Sequence, residues 1–197
     1  MMGQLGSRVL LVDDEALIRK LITGYLVAAG YVVRGAVDGL DALQKLRGGP
    51  PDLIIADLDM PRMSGIELLH IVRHRFPHLP VIAITAGSLP DDMPKGLGAD
   101  AYYHKGGLGL DTLLQAVTRL TRESSGRTIA ANPEDKPVLA RMDGDRHCII
   151  HCGDCLRSFS VPRDRCCLGP HDQWTTCVHC GSPVQFSIDC SDAKVNP

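Results

Sequence analysis

The chain has 197 residues, 44% of them apolar and 4% aromatic, with a formal net charge of −2. That is room for one domain plus a small module, or for two small domains. So small a charge excludes the strong field of a nucleic-acid or membrane-surface protein, and no apolar run nears the ~20 residues that span a bilayer. The start, Met1-Met2-Gly3-Gln4, lacks a signal-peptide pattern. A cytoplasmic location without membrane insertion is therefore expected, where cysteines are reduced, ligating or catalytic.

Arg8 to Val12 is a short apolar strand ending at Asp13-Asp14-Glu15. Leu17, Ile18, Leu21, Ile22 and Leu26 follow at helical spacing, and Gly30 stops that helix. Tyr31 to Ala36 reads as a second strand, and Leu40, Leu43 and Leu46 mark a second helix closed by Gly48-Gly49-Pro50-Pro51. Leu53-Ile54-Ile55-Ala56 is a third strand, stopping at Asp57, with a helix from about Gly65 to Arg75. Val81 to Ile84 stops at Thr85, and Ala101 to His104 stops at Lys105. Leu110, Leu113, Leu114, Val117 and Leu120 give the last helix. Between Ser88 and Gly98 stand Pro90, Pro94, Gly96 and Gly98, so any helix there is short or irregular. This alternation predicts an α/β domain over residues 5–122, a five-stranded doubly wound parallel sheet with helices on both faces. Residues 123–145 are polar and aperiodic and read as a linker, within which Val138-Leu139-Ala140 can dock locally.

In a parallel sheet the residues that end the strands share one edge, the crevice where chemistry gathers. Here they are Asp13, Asp14, Asp57, Thr85 and Lys105. Crowded carboxylates repel unless a divalent cation lies among them, and an oxygen-only set suits Mg²⁺. Lysine adds a point charge for an anion and threonine a hydroxyl donor. These are the parts needed to place a phosphoryl group on an aspartate.

Four motifs carry a resemblance: Leu11-Val12-Asp13-Asp14-Glu15, Asp57-x-x-Met60-Pro61-x-Met63-x-Gly65, Ile84-Thr85-Ala86 and Tyr102-x-x-Lys105. In that order and spacing, residues 5–122 resemble the flavodoxin-like receiver domain of two-component response regulators. The resemblance implies that Asp57 is the phosphoacceptor, charged by a histidine kinase or a histidine phosphotransfer protein. It implies that Asp14 and Asp57 hold Mg²⁺ directly, Asp13 through water and Asp59 through its backbone carbonyl. It further implies that Lys105 pairs with the phosphoryl group, that Thr85 moves toward it, and that Tyr102 turns inward. Two features depart from the family: Gly106-Gly107 stands where proline usually follows the lysine, so a trans bond and a looser loop are expected, and the fourth helix is weak. Asp59 adds negative charge at the pocket mouth and is expected to alter the phosphoaspartate lifetime.

All eight cysteines lie at Cys148 or later. Cys152-x-x-Cys155 and Cys177-x-x-Cys180 are separated by twenty-one residues, a spacing that brings four thiolates to one ion. Gly153 and Gly181 suit the tight turns, and the segments around Ile149, Phe159 and Val184 to Ile188 look like short strands. Residues 146–197 are therefore read as a zinc-ribbon-like β module, in which iron is the rival ion. A module of that size buries too little surface to fold easily alone, so the ion is expected to hold it together. Cys148, Cys166, Cys167 and Cys190 read as unligated thiols. Basic and acidic residues balance across the module, so nucleic-acid binding is not expected and protein contact is.

The expected function is phosphorelay signalling, with phosphorylation of Asp57 switching the binding of a downstream protein. The alternatives are a transcriptional or RNA-binding regulator acting through the ribbon, and a zinc or redox sensor. Without a hydrolase triad, nucleotide loop or cyclase-type output domain, the chain is not expected to be an enzyme.

Overall fold

The computed structural model describes residues 6–87, 98–107, 109–124, 137–143, 146–163 and 173–188. The chain divides into two compact units, residues 1–132 and 133–197. The segment of the weak fourth helix, Ser88 to Gly98, lies almost wholly outside the described residues, as do Cys166, Cys167 and Cys190.

The first unit runs β1 (Arg8–Val12), α1 (Ala16–Ala28), β2 (Val32–Ala36), α2 (Gly39–Leu46), β3 (Leu53–Asp57), α3 (Gly65–Arg75), β4 (Val81–Thr85), β5 (Ala101–His104) and α4 (Leu110–Ser124). Its strands form one parallel sheet in the order β2-β1-β3-β4-β5. The order puts β1, β3 and β4 in the middle, where both faces are covered; this is why each reads as an unbroken apolar run. Every residue of β3 and β4 is buried. Val9, Leu11, Ile55 and Ile84 of the sheet share one core cluster with Ile22 and Leu26 of α1 and Leu113, Val117 and Leu120 of α4. Leu17 and Leu21, which share the helical periodicity of α1, instead face solvent at 84% and 60% exposure.

The joint after β3 is tight. Leu58 N donates to Ile84 O at 2.8 Å, and Gly65 N donates back to Leu58 O at 3.1 Å, folding the loop onto its own strand. Ser64 then starts α3 with a reciprocal capping box, its side chain and backbone exchanging bonds with Glu67. A methyl group on Gly65 would collide with the Asp57 carbonyl and lie 2.8 Å from Leu58 Cα, backbone atoms that cannot step aside. Gly65→Ala is expected to lower the stability of this unit by about 3 kcal/mol through overpacking. Urea unfolding of the variant checks this, and wild-type stability would contradict it.

The second unit holds β6 (Val138–Asp143), β7 (His147–His151), β8 (Ser158–Pro162), β9 (Gln173–Thr176) and β10 (Pro183–Ile188). They form a sheet in the order β8-β7-β6-β10-β9. The linker expected over residues 123–145 is thus corrected at both ends. At one end α4 continues to Ser124; at the other, Val138 to Asp143 is the central strand of this sheet, antiparallel to β7 and parallel to β10. Val138 and Ala140 are buried and pair with β10, while Arg141 to Asp143 pair with β7, and this pairing makes the segment a strand. A strand over Gln173–Thr176, paired antiparallel with β10, also goes beyond the sequence reading.

Candidate functional site

The sheet of the first unit brings four of its strand ends to one edge. Asp13 follows β1, Asp57 ends β3, Thr85 ends β4 and Lys105 follows β5. Carboxylate oxygens of Asp13, Asp14 and Asp57 lie within 4.8 Å of one another. Asp13 and Asp57 are buried and Asp14 is exposed at the mouth. Lys105 Nζ stands 2.7 Å from Asp57 Oδ2, 3.1 Å from Asp13 Oδ2 and 2.9 Å from Glu15 Oε1. Glu15 is the partner that sequence reasoning missed; its place beside Asp13-Asp14 was the available signal. The Glu15 amide donates to Asp13 Oδ1 at 2.8 Å, which fixes the Asp13 carboxylate against the start of α1.

Burial pushes the Asp57 carboxyl above the usual range, against the pull of Lys105 and of the Asp59 amide, which donates to Asp57 Oδ1 at 3.0 Å. Burial also works against the charge on Lys105, but its hydrogen bonds to Asp57, Glu15 and Asp13 outweigh it, so its pKa is raised. Asp13, Asp14, Glu15 and Asp57 outnumber the one half-buried Lys105 ammonium, and a divalent ion beside them offsets the surplus negative charge. The donor set is all oxygen, small and partly open, which fits Mg²⁺.

The Asp59 side chain bonds to the end of β4. Thr85 Oγ1 donates to Asp59 Oδ2 at 2.5 Å, which holds the Asp59 carboxyl below its ordinary range. Tyr102 lies on β5 half-buried, and its hydroxyl accepts from the Ala99 amide at 3.2 Å. Beyond β5, Lys105–Gly107 forms one 3₁₀ turn with no cis peptide bond, and the Gly106 amide donates to His104 Nδ1 at 3.1 Å. A proline at 106 would lack that donor.

The model of the response regulator receiver domain family matches residues 9–117. The chain belongs to that family. Its receiver region is 39% identical over 118 residues to a gliding motility regulatory protein of Myxococcus xanthus, covering 58% of this chain and 15% of that protein. It is 38% identical over 118 residues to the regulator of RpoS of Escherichia coli K12, covering 59% and 32%. The chain therefore spans under a third of the length of these two curated relatives. Among solved structures, the receiver domain of Francisella response regulator 1452 superposes with a TM-score of 0.56 at 30% identity, covering 60% of this chain and 99% of that one. The response regulator TrrA of Thermotoga maritima, solved with Mg²⁺ and BeF, gives 0.54 at 35% identity, covering 58% and 98%.

The second unit gathers Cys152, Cys155, Cys177 and Cys180, whose sulfurs all lie within 4.8 Å of one another. Cys152 and Cys180 Sγ are 3.7 Å apart, as are Cys155 and Cys177 Sγ. A disulfide would bring them to about 2.0 Å. A tetrahedron of sulfurs about 2.3 Å from a central ion has an edge of about 3.8 Å, so the four thiols are spaced as ligands of one metal. Both knuckles repeat one backbone pattern. Leu156 N donates to Cys152 O and Cys152 N to Arg157 O; Gly181 N donates to Cys177 O and Cys177 N to Ser182 O, all at 2.9 Å. The left-handed residue falls at the same step in each, Leu156 at φ 56° and Gly181 at φ 78°. The turn role expected of Gly153 therefore passes to Leu156, whose burial offsets the strain. Burial pushes the Cys152 thiol up to about 12, while Ser182 draws the exposed Cys180 down to about 6. Cys148 is buried on β7, 3.4 Å from Met142 Sδ.

Among the described residues, no helix is long and apolar enough to cross a membrane.

Proposed function

We propose that this protein is a two-component response regulator that accepts a phosphoryl group on Asp57 and thereby switches the binding of a downstream protein. The observation that carries the reading is the cation at the acceptor: Lys105 Nζ lies 2.7 Å from Asp57 Oδ2 and 3.1 Å from Asp13 Oδ2 in a buried carboxylate cluster. A histidine kinase or histidine phosphotransfer protein is the donor. An oxygen of Asp57 forms the O–P bond as the P–N bond to the donor histidine breaks, and the histidine nitrogen takes up a proton. Asp13, Asp14 and Asp57 would hold Mg²⁺, with the backbone carbonyl of Asp59, and the ion supplies neutralisation of the phosphoryl charge when bound. Lys105 then pairs with the phosphoryl oxygens, Thr85 offers its hydroxyl, and Tyr102 packs inward behind Thr85. The protein is not itself an enzyme in this reading.

The second unit serves as a zinc-ribbon-like module for protein contact, with Cys152, Cys155, Cys177 and Cys180 as ligands of Zn²⁺. The spacing of the sulfurs supports an ion of that size and softness.

Incubating the full chain with Mg²⁺ and acetyl phosphate is expected to add one phosphoryl group, seen as a mass increase, and Asp57→Asn is expected to abolish it. Absence of labelling in the wild type, or persistence of labelling in Asp57→Asn, overturns the reading.

A further inference from the structure

A threonine hydroxyl has one proton to donate, and Thr85 gives its own to a carboxylate. Thr85 Oγ1 donates to Asp59 Oδ2 at 2.5 Å. The Gly87 amide sits against the same pair, 3.3 Å from Asp59 Oδ2 and 3.0 Å from Thr85 Oγ1. The backbone sets this up. Asp57 is in register with Ile84, so Thr85 stands one residue beyond the acceptor on the neighbouring strand. The Asp59 amide is pinned to Asp57 Oδ1 at 3.0 Å, which starts the Asp59 side chain from beside the acceptor and lets it reach the end of β4.

We propose that the Asp59 carboxylate is an internal stand-in for the phosphoryl group, holding the donors of Thr85 and Gly87 until phosphorylation displaces it. This rests on the reading of Asp57 as the acceptor. Thr85 is buried, and its single O–H cannot serve Asp59 and a phosphoryl oxygen together. Phosphorylation must break the Thr85–Asp59 bond and then leaves the Asp59 carboxylate facing a like charge. A hydrogen bond to an ionised acceptor is about twice as strong as a neutral one, so the contact favours the unmodified arrangement. By linkage, whatever stabilises the latched state weakens phosphoryl binding by the same factor. Asp59 is therefore a positioning residue that sets the threshold for switching, acting through Thr85 and not on the reacting atoms.

The test is a titration of the full chain with beryllofluoride, a phosphoryl mimic, at saturating Mg²⁺, followed by the Gly87 amide resonance and, where Thr85 is kept, by its methyl. Asp59→Ala is expected to bind about tenfold more tightly than the wild type, the worth of one charge-assisted hydrogen bond. Asp59→Asn, which keeps an acceptor without the charge, should fall between. In a Thr85→Ala background the gain from Asp59→Ala should shrink to within about twofold, the signature of a pair that acts together. Unchanged affinity in Asp59→Ala overturns the proposal alone, as does a gain of equal size without Thr85, which would mean action by charge only. Failure of the wild type and of the Asp59 variants alike to bind beryllofluoride overturns the reading of Asp57 as well.

Discussion

Stripping the metal from the second unit, or replacing Cys152 or Cys177 with serine, is expected to unfold residues 133–197 and to leave the receiver unit folded. The four sulfurs close one end of a sheet whose strands are each four to six residues long. So small a sheet with few large apolar side chains cannot offset the entropy of ordering its chain. Structural zinc contributes ~10–16 kcal/mol in comparable peptides, about the whole stability of an ordinary domain. Without the ion, Cys152 and Cys177 are left as buried sulfurs without the ligand bonds that hold the knuckles together. Trp174, the single tryptophan of the chain, lies on β9 and reports this unit alone. Its fluorescence should follow chelation and reverse on adding Zn²⁺. Loading the site releases thiol protons, so retention of the ion should weaken as pH falls. A Trp174 signal and a thermal profile that ignore the chelator would sink the idea.

The receiver fold was legible because its central strands are covered on both faces. Val9 to Val12, Leu53 to Ala56 and Val81 to Ile84 are apolar throughout and stop at polar residues, so the crevice could be assembled from strand ends alone. The knuckles were legible because ligand spacing is local. What escaped was whatever depends on neighbours far away in the chain. Val138 to Asp143 carries little of its own strand signal, and it becomes a strand by pairing with β10 over Val138 to Ala140 and with β7 over Arg141 to Asp143. Gln173 to Thr176 is an edge strand with alternating half-exposed and exposed residues, which reads like a polar loop. Leu156 takes a left-handed turn that composition assigns to glycine, because its side chain is buried at the knuckle. The Asp59 side chain was expected only as added charge at the pocket mouth; its bond to Thr85 joins residues 26 apart in the chain and has no mark in either motif. The Ser64-x-x-Glu67 capping box was present as a local pattern and is what anchors the acceptor loop to α3.

Lys105→Ala is expected to cost the receiver unit about 3 kcal/mol at pH 7 in Mg²⁺-free buffer, because removing one partner from a buried ion pair leaves the others uncompensated. The Lys105 side chain is 12% exposed and those of Asp13 and Asp57 are each 2% exposed, so water screens the group poorly. Its raised pKa keeps Lys105 charged throughout the neutral range, and that contribution is lost only as pH climbs past the ordinary lysine value. Asp57 has a consequence of the same sign on the acid side. Its folded pKa lies above its unfolded one, so the native state holds that proton more firmly, and stability falls as pH rises through the folded value. Lys105 offsets this penalty in the wild type. Its removal should therefore hurt most at neutral pH and least under mild acid, where Asp57 takes a proton and the repulsion with Asp13 disappears. Adding Asp57→Asn to Lys105→Ala should restore most of the loss by the same logic, since a neutral amide needs no cation beside it. Urea unfolding at pH 7 and pH 5 measures both effects. A deficit that grows on acidification would show that the cluster is not held by its charges, and the electrostatic account of the crevice would fail with it.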